Sequence, residues 1–182
     1  MIDPRDITNF KRNKEELEEL LLFCIIVAGK TASIQAKKLE LFLSKNMSPF
    51  ELIQYYIKND VLLDKIKEVK LGQYKRLESA FHEVLKLDVF NCTVEELESI
   101  TGIGPKTARF FILHSRPKQN IAVLDTHVLK WLRDELNLNV PKSTPTSKKY
   151  LELEKLFLDY CKKHKRNPAQ LDLEIWKKYN SK

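Results

Sequence analysis

A lysine and an aspartate nineteen positions apart, Lys106 and Asp125, carry the chemistry this sequence offers. Lys106 closes the stretch "ITGIGPK", in which Gly102 and Gly104, two of only four glycines in the chain, flank Ile103. Glycine there lets the backbone take positive φ and approach another molecule with no Cβ in the way. Pro105 suits the first position of a helix. The amides of Gly102, Ile103 and Gly104 would then face outward as an anion nest, reinforced by the helix N-terminus, and grip a phosphate. A tight helix–helix turn asks for glycine on its own account, so the G-x-G alone leaves both readings open. Lys106 falls in the first turn of that helix, where the dipole disfavours an ammonium and favours the neutral amine, the nucleophile of Schiff-base chemistry. A surface lysine that snorkels, or one that binds phosphate, fits the same position. Asp125 opens "DTHVLKWL", where it is both a natural N-cap for a helix starting at Thr126 and an anion able to steady developing positive charge.

The elements that must position these residues read at a helical period nearly throughout, and no alternating strand pattern survives a count. Helices are expected over Glu15 to Ala28, Thr31 to Leu43, Pro49 to Lys58 with Ser48 as cap, Val61 to Lys67 and Gln73 to Leu87. Thr93 followed by Glu96 gives a capping-box spacing for Thr93 to Ile100. Further helices are expected from Pro105 to His114, from Thr126, from Lys149 to Lys165 with a stripe of Tyr150, Leu153, Phe157 and Tyr160, and from Pro168 to Tyr179. The fold class is all-α, without internal repeats.

The chain has 182 residues, 43% of them hydrophobic, enough for a real core, and a net charge of +7 that is consistent with a polyanionic partner. Its excess of positive charge is concentrated from Pro141 to Lys182, where eleven Lys and Arg face five Asp and Glu. For any individual lysine of that quarter a solubilising helix surface is the better reading. Three cysteines, Cys24, Cys92 and Cys161, are too few and too scattered for a disulfide framework or a close-spaced metal site, so a reduced, intracellular setting is expected. The longest apolar run, "LLLFCIIVA", is too short to span a bilayer, and a soluble protein is expected.

The hairpin and the second segment together resemble the helix-hairpin-helix superfamily of base-excision DNA glycosylases. The signature of that superfamily is a hydrophobic G-x-G hairpin followed by Lys-Thr-Ala and, about twenty residues later, a hydrophobic-Asp-x-His helix start. Gly102, Gly104, Lys106, Thr107, Ala108, Asp125 and His127 all fall on this pattern. The resemblance implies two helical lobes, a helical-barrel lobe over residues 25–116 that carries the hairpin and a second lobe made of residues 1–24 and 117–182, with the active site at the seam. It implies that Lys106 attacks the sugar C1′, displaces a damaged base and forms a Schiff base leading to strand cleavage. Asp125 would stabilise positive charge on the deoxyribose, and Gly102, Ile103, Gly104 and His127 would hold DNA phosphate. No cofactor is implied beyond a possible structural monovalent cation at the hairpin, and no catalytic metal. The implied partner is double-stranded DNA with its damaged nucleotide flipped out of the stack. The protein is expected to act as a monomer in the cytoplasm or at the nucleoid, without a membrane.

Within the superfamily, the iron–sulfur branches similar to endonuclease III carry four cysteines after the catalytic aspartate, whereas only Cys161 stands there. Alkylation-repair members generally lack a lysine at position 106. The chain is most similar to the short, archaeal-type second class of 8-oxoguanine DNA glycosylase/lyases, through Phe23-Cys24-Ile25, "LDLEIW" from Leu171 to Trp176, and a C-terminal Lys182. That resemblance implies base recognition by Trp176 and Lys182; a tryptophan on an amphipathic helix is also an ordinary core residue. Relatives place an asparagine just after the "FCI" helix, where this chain has Gly29 and Lys30, so its opposite-base preference is left open. Two other readings stand beside 8-oxoguanine removal: the same chemistry on a different damaged base, and a hairpin module that binds DNA without catalysis.

Overall fold

The computed structural model of the chain describes residues 2–43 and 46–180. Among these residues the chain is all-α, with ten helices and no strand. Helix α1, Lys14–Ile26, opens with a capping box between Asn13 and Glu16 and buries every residue from Leu20 to Ile26. It is the central post of the first half, packed against α2 (Ala32–Phe42), α3 (Pro49–Lys58), α5 (Tyr74–Val84) and α7 (Pro105–Ser115). The expected boxes at Ser48/Glu51 and Thr93/Glu96 start α3 and α6 (Val94–Glu98), and α4 (Leu62–Glu68) stands against α3 and α5. Buried Glu18 of α1 accepts from the Phe50 amide at 3.1 Å, so a core carboxylate caps the first turn of α3. Burial pushes the Glu18 carboxyl above its ordinary range.

The second half comprises α8 (Thr126–Leu136), α9 (Ser147–Lys163) and α10 (Pro168–Asn180), joined to α7 by an irregular segment that ends at Asp125. Its core gathers Val128, Leu129, Trp131 and Leu132 with the α9 stripe of Tyr150, Leu153 and Phe157, as the period predicts. A small cluster of Leu113, Val123 and Ala169 joins the two halves. The apolar cores divide differently from the expected grouping, because Ile2, Ile7 and the α1 side chains from Leu17 onward belong with residues up to Ile112. A helix apolar on all sides must be surrounded, and only the first half has enough helices to surround α1.

Candidate active site

The two glycines of the hairpin answer to different demands. Gly102 lies at φ +83, and a Cβ there would stand 2.4 Å from Cγ of Arg76. The guanidinium of Arg76 donates to the Gly102 carbonyl at 2.8 Å and to the Ile25 carbonyl at 2.9 Å, pinning the hairpin to the end of α1. Gly102 is therefore explained by the protein's own packing. Gly104, the N-cap of α7, has φ −100 and ψ 178, extended backbone open to any residue, and a Cβ there would meet nothing within 4 Å. The glycine leaves open space in front of a helix start that no side chain caps. That is the clearance an incoming phosphate needs.

Ile103 departs from the anion-nest expectation. Its amide donates to the Ile100 carbonyl at 3.0 Å and its side chain is buried, so it anchors the hairpin in the core. The first-turn amides of Lys106 and Thr107, by contrast, have no intrahelical acceptor. The fixed guanidinium charge of Arg76 on the Gly102 carbonyl fits poorly with a further monovalent cation at the turn.

Lys106 and Asp125, from α7 and the cap of α8, line one cavity of about 800 Å³. Lys106 is half-buried, with its ammonium 5.6 Å from the Phe110 ring centroid. Asp125 caps α8 as expected, accepting from the amides of His127 (2.9 Å) and Val128 (2.8 Å) through one oxygen, Oδ1. Burial and then the neighbouring Asp172 raise the Asp125 carboxyl above its ordinary range, against a smaller opposing pull from Lys106. Cysteine is not the nucleophile here: none of the three lines the cavity, and burial pushes the Cys24 thiol up to about 12.

Trp176 and His127 also line the cavity, as do Gly29 and Lys30 from the turn after α1. Gly29 is at φ +71, and Lys30 donates to the Leu71 carbonyl. Lys182 lies outside the described residues. Among the described residues the basic last quarter contributes no cation to the cavity wall, which takes Lys30 and Lys106 from the first half. In that quarter Lys149, Arg166 and Lys178 pair with Glu152, Glu174 and Glu135.

Sequence reasoning missed Asp172. Its carboxylate lines the cavity and accepts from Nε2 of His114 at 3.0 Å, while Nδ1 of the fully buried His114 pairs with the Thr8 hydroxyl at 2.8 Å. The available signal was an acid four residues before Trp176, hence on the same helix face.

Residues 4–166 match the family described as 8-oxoguanine DNA glycosylase. An 8-oxoguanine DNA glycosylase/AP lyase of Fusobacterium nucleatum is 36% identical over 104 residues, 53% of this chain but only 48% of that protein's own length. One from Thermoplasma volcanium is 27% identical over 177 residues, covering 91% of this chain and 81% of the relative. The crystal structure of the Methanocaldococcus jannaschii 8-oxoguanine DNA glycosylase superposes with a TM-score of 0.70 at 24% identity, over 98% of this chain and 85% of that one. That likeness concerns the fold.

Proposed function

The chain belongs to the 8-oxoguanine DNA glycosylase family, and from that membership we propose that it removes 8-oxoguanine from duplex DNA and cleaves the strand at the resulting abasic site. The observation that carries this reading is the convergence of Lys106 and Asp125 on one cavity with the volume for an extruded nucleotide.

The neutral amine of Lys106 attacks C1′ as the bond from C1′ to the base nitrogen breaks, and the base departs with that electron pair and is protonated. Ionised Asp125 faces the sugar as C1′ gains positive charge. Ring opening of the aminal gives a protonated Schiff base between Lys106 and C1′. Loss of a C2′ proton then expels the 3′ phosphate by β-elimination, and water releases the lysine. Asp172 offers the second oxygen of its carboxylate to a purine N1–H and exocyclic amine, while His114 holds the first. Trp176 offers a face for stacking. Gly102, Gly104 and the first-turn amides of α7 hold a phosphate, with His127 on a neighbouring one. Action as a monomer on DNA inside the cell is part of this proposal, and the family membership supports the DNA part. The resemblance to the archaeal-type class supports a base-reading role for Lys182. Removing Lys182 should slow 8-oxoguanine excision far more than cleavage of a preformed abasic site; equal loss of both takes it out of recognition.

The test is borohydride trapping on a panel of lesion-containing duplexes. Wild type should form a covalent adduct on 8-oxoguanine duplex, and Lys106→Gln none. Trapping by Lys106→Gln at the wild-type level removes the nucleophile assignment. An adduct on another lesion alone moves the substrate, and salt-sensitive binding with no adduct on any duplex leaves a plain DNA-binding module.

A further inference from the structure

We propose that Arg109, Glu154 and Tyr150 form an interhelical clamp that sets the separation of Lys106 and Asp125, acting on the reaction as positioning residues through Asp125. The proposal rests on the roles assigned above to that lysine and that aspartate. Asp125 ends a segment that belongs to no helix and has no strand beside it among the described residues, yet Ala122 and Leu124 in that segment are fully buried. Their backbone groups must find partners elsewhere, and α9 supplies most of them. Oε1 of Glu154 accepts from the Ala122 amide at 2.8 Å. The Tyr150 hydroxyl donates to the Ala122 carbonyl at 2.8 Å and accepts from the Leu124 amide at 3.1 Å. Thr144 closes the set by donating to the Leu124 carbonyl at 2.9 Å. Two side chains one turn apart on α9 thus replace the missing neighbouring strand.

The same two side chains are tied to the helix of the nucleophile. Arg109, three residues after Lys106 on α7, donates from Nε to that same Oε1 of Glu154 at 2.9 Å and from Nη1 to Glu98 at 2.6 Å. Its guanidinium lies 4.6 Å from the centroid of the Tyr150 ring. The Arg109 and Glu154 side chains are only 11% and 10% exposed, so neither is easily replaced by water when its partner is lost. A continuous run of short bonds therefore leads from the Lys106 helix through Glu154 and Tyr150 to the residue before Asp125. A displacement of about 1 Å between reacting groups costs on the order of a hundredfold in rate, so this run is where alignment is held or lost.

Tyr150→Phe keeps the ring under Arg109 and deletes only the hydroxyl. It should slow single-turnover excision from an 8-oxoguanine·cytosine duplex about tenfold, and Glu154→Gln about a hundredfold. Affinity for that duplex should stay within about twofold of wild type, since neither residue lines the cavity. In an Asp125→Asn background each change should cost about twofold at most, because the carboxylate being aligned is gone. A merely structural role gives the same slowing in both backgrounds, and that result, or wild-type rates for both variants, overturns the proposal. If Glu154→Gln does not fold, Tyr150→Phe completes the cycle alone. Borohydride trapping on a preformed abasic duplex reads the same alignment with no base to recognise. Wild type that traps there but excises no 8-oxoguanine sinks the substrate reading, while the clamp is still decided on the abasic duplex.

Discussion

At the scale of single residues the site places a carboxyl group where folding favours its neutral form. Asp125 binds its proton more tightly in the fold than in the unfolded chain, chiefly through burial and then through Asp172. As pH rises past the ordinary aspartate value of 3.8, the unfolded chain gives up this proton first and folded Asp125 ionises later at a cost, so the residue lowers stability above that window. Asp125→Asn retains an N-cap acceptor and should raise Tm at pH 7–8, with no gain below pH ~3.8. Excision should fall by two or more orders of magnitude at the same time. Thermal melts across pH beside single-turnover rates check both, and a lower Tm with normal turnover would make Asp125 a cap only. Abasic-site cleavage by wild type should weaken as acid protonates Asp125, at a break above the ordinary aspartate range. Asp172→Asn removes the neighbouring charge and should move that break to lower pH, while Lys106 and His127 are unchanged around it; an unmoved break refutes the coupling.

Among the elements, the hairpin offers the sharpest separation of fold from function, because its two glycines are constrained by different things. Gly102→Ala puts a Cβ at φ +83 and 2.4 Å from an Arg76 side chain that is held by two carbonyls. It should cost roughly 2–4 kcal/mol and lower Tm by roughly 5–10 °C. Gly104→Ala meets no protein atom and needs no unusual φ, so Tm should stay within about 1 °C. Affinity for undamaged duplex should nevertheless drop about tenfold, as the methyl group stands where a phosphate would come in. Comparing melts and duplex titrations of the two variants decides the matter. Full affinity in Gly104→Ala would place the DNA backbone elsewhere.

For the whole molecule, the net charge of +7 says less about the DNA-facing surface than the pairing of individual cations does. Arg166 and Lys178 of the basic last quarter are matched by Glu174 and Glu135, whereas Lys30 reaches the cavity wall with a backbone carbonyl as its partner. Binding to undamaged duplex should weaken with salt. Lys30→Gln should reduce the slope of log K against log[salt] by about 1, and Lys178→Gln should leave it unchanged. The opposite ordering would return the DNA-facing role to the last quarter. No helix among the described residues is long and apolar enough to cross a membrane.

What the sequence determined by itself is what depends on neighbours a few positions away. The capping boxes at Ser48 and Thr93, Pro105 at a helix start, Asp125 as an N-cap and the stripe of Tyr150, Leu153 and Phe157 all follow from spacings of two to seven residues. The places of Lys106 and Asp125 at helix starts were legible for the same reason, while their pairing as reacting groups rests on the resemblance of two segments to a known family. Tertiary structure alone decided which polar groups meet across long stretches of chain. Arg109 and Glu154 are 45 residues apart, His114 and Asp172 58, and Arg76 and Ile25 51. No periodicity encodes such pairs, because any of several exposed-looking acids could have served each partner until packing buried one. The same holds for Ile103, whose amide a local reading assigns to phosphate and whose fold turns it to Ile100. A backbone N–H goes to whichever acceptor the assembled turn brings within reach.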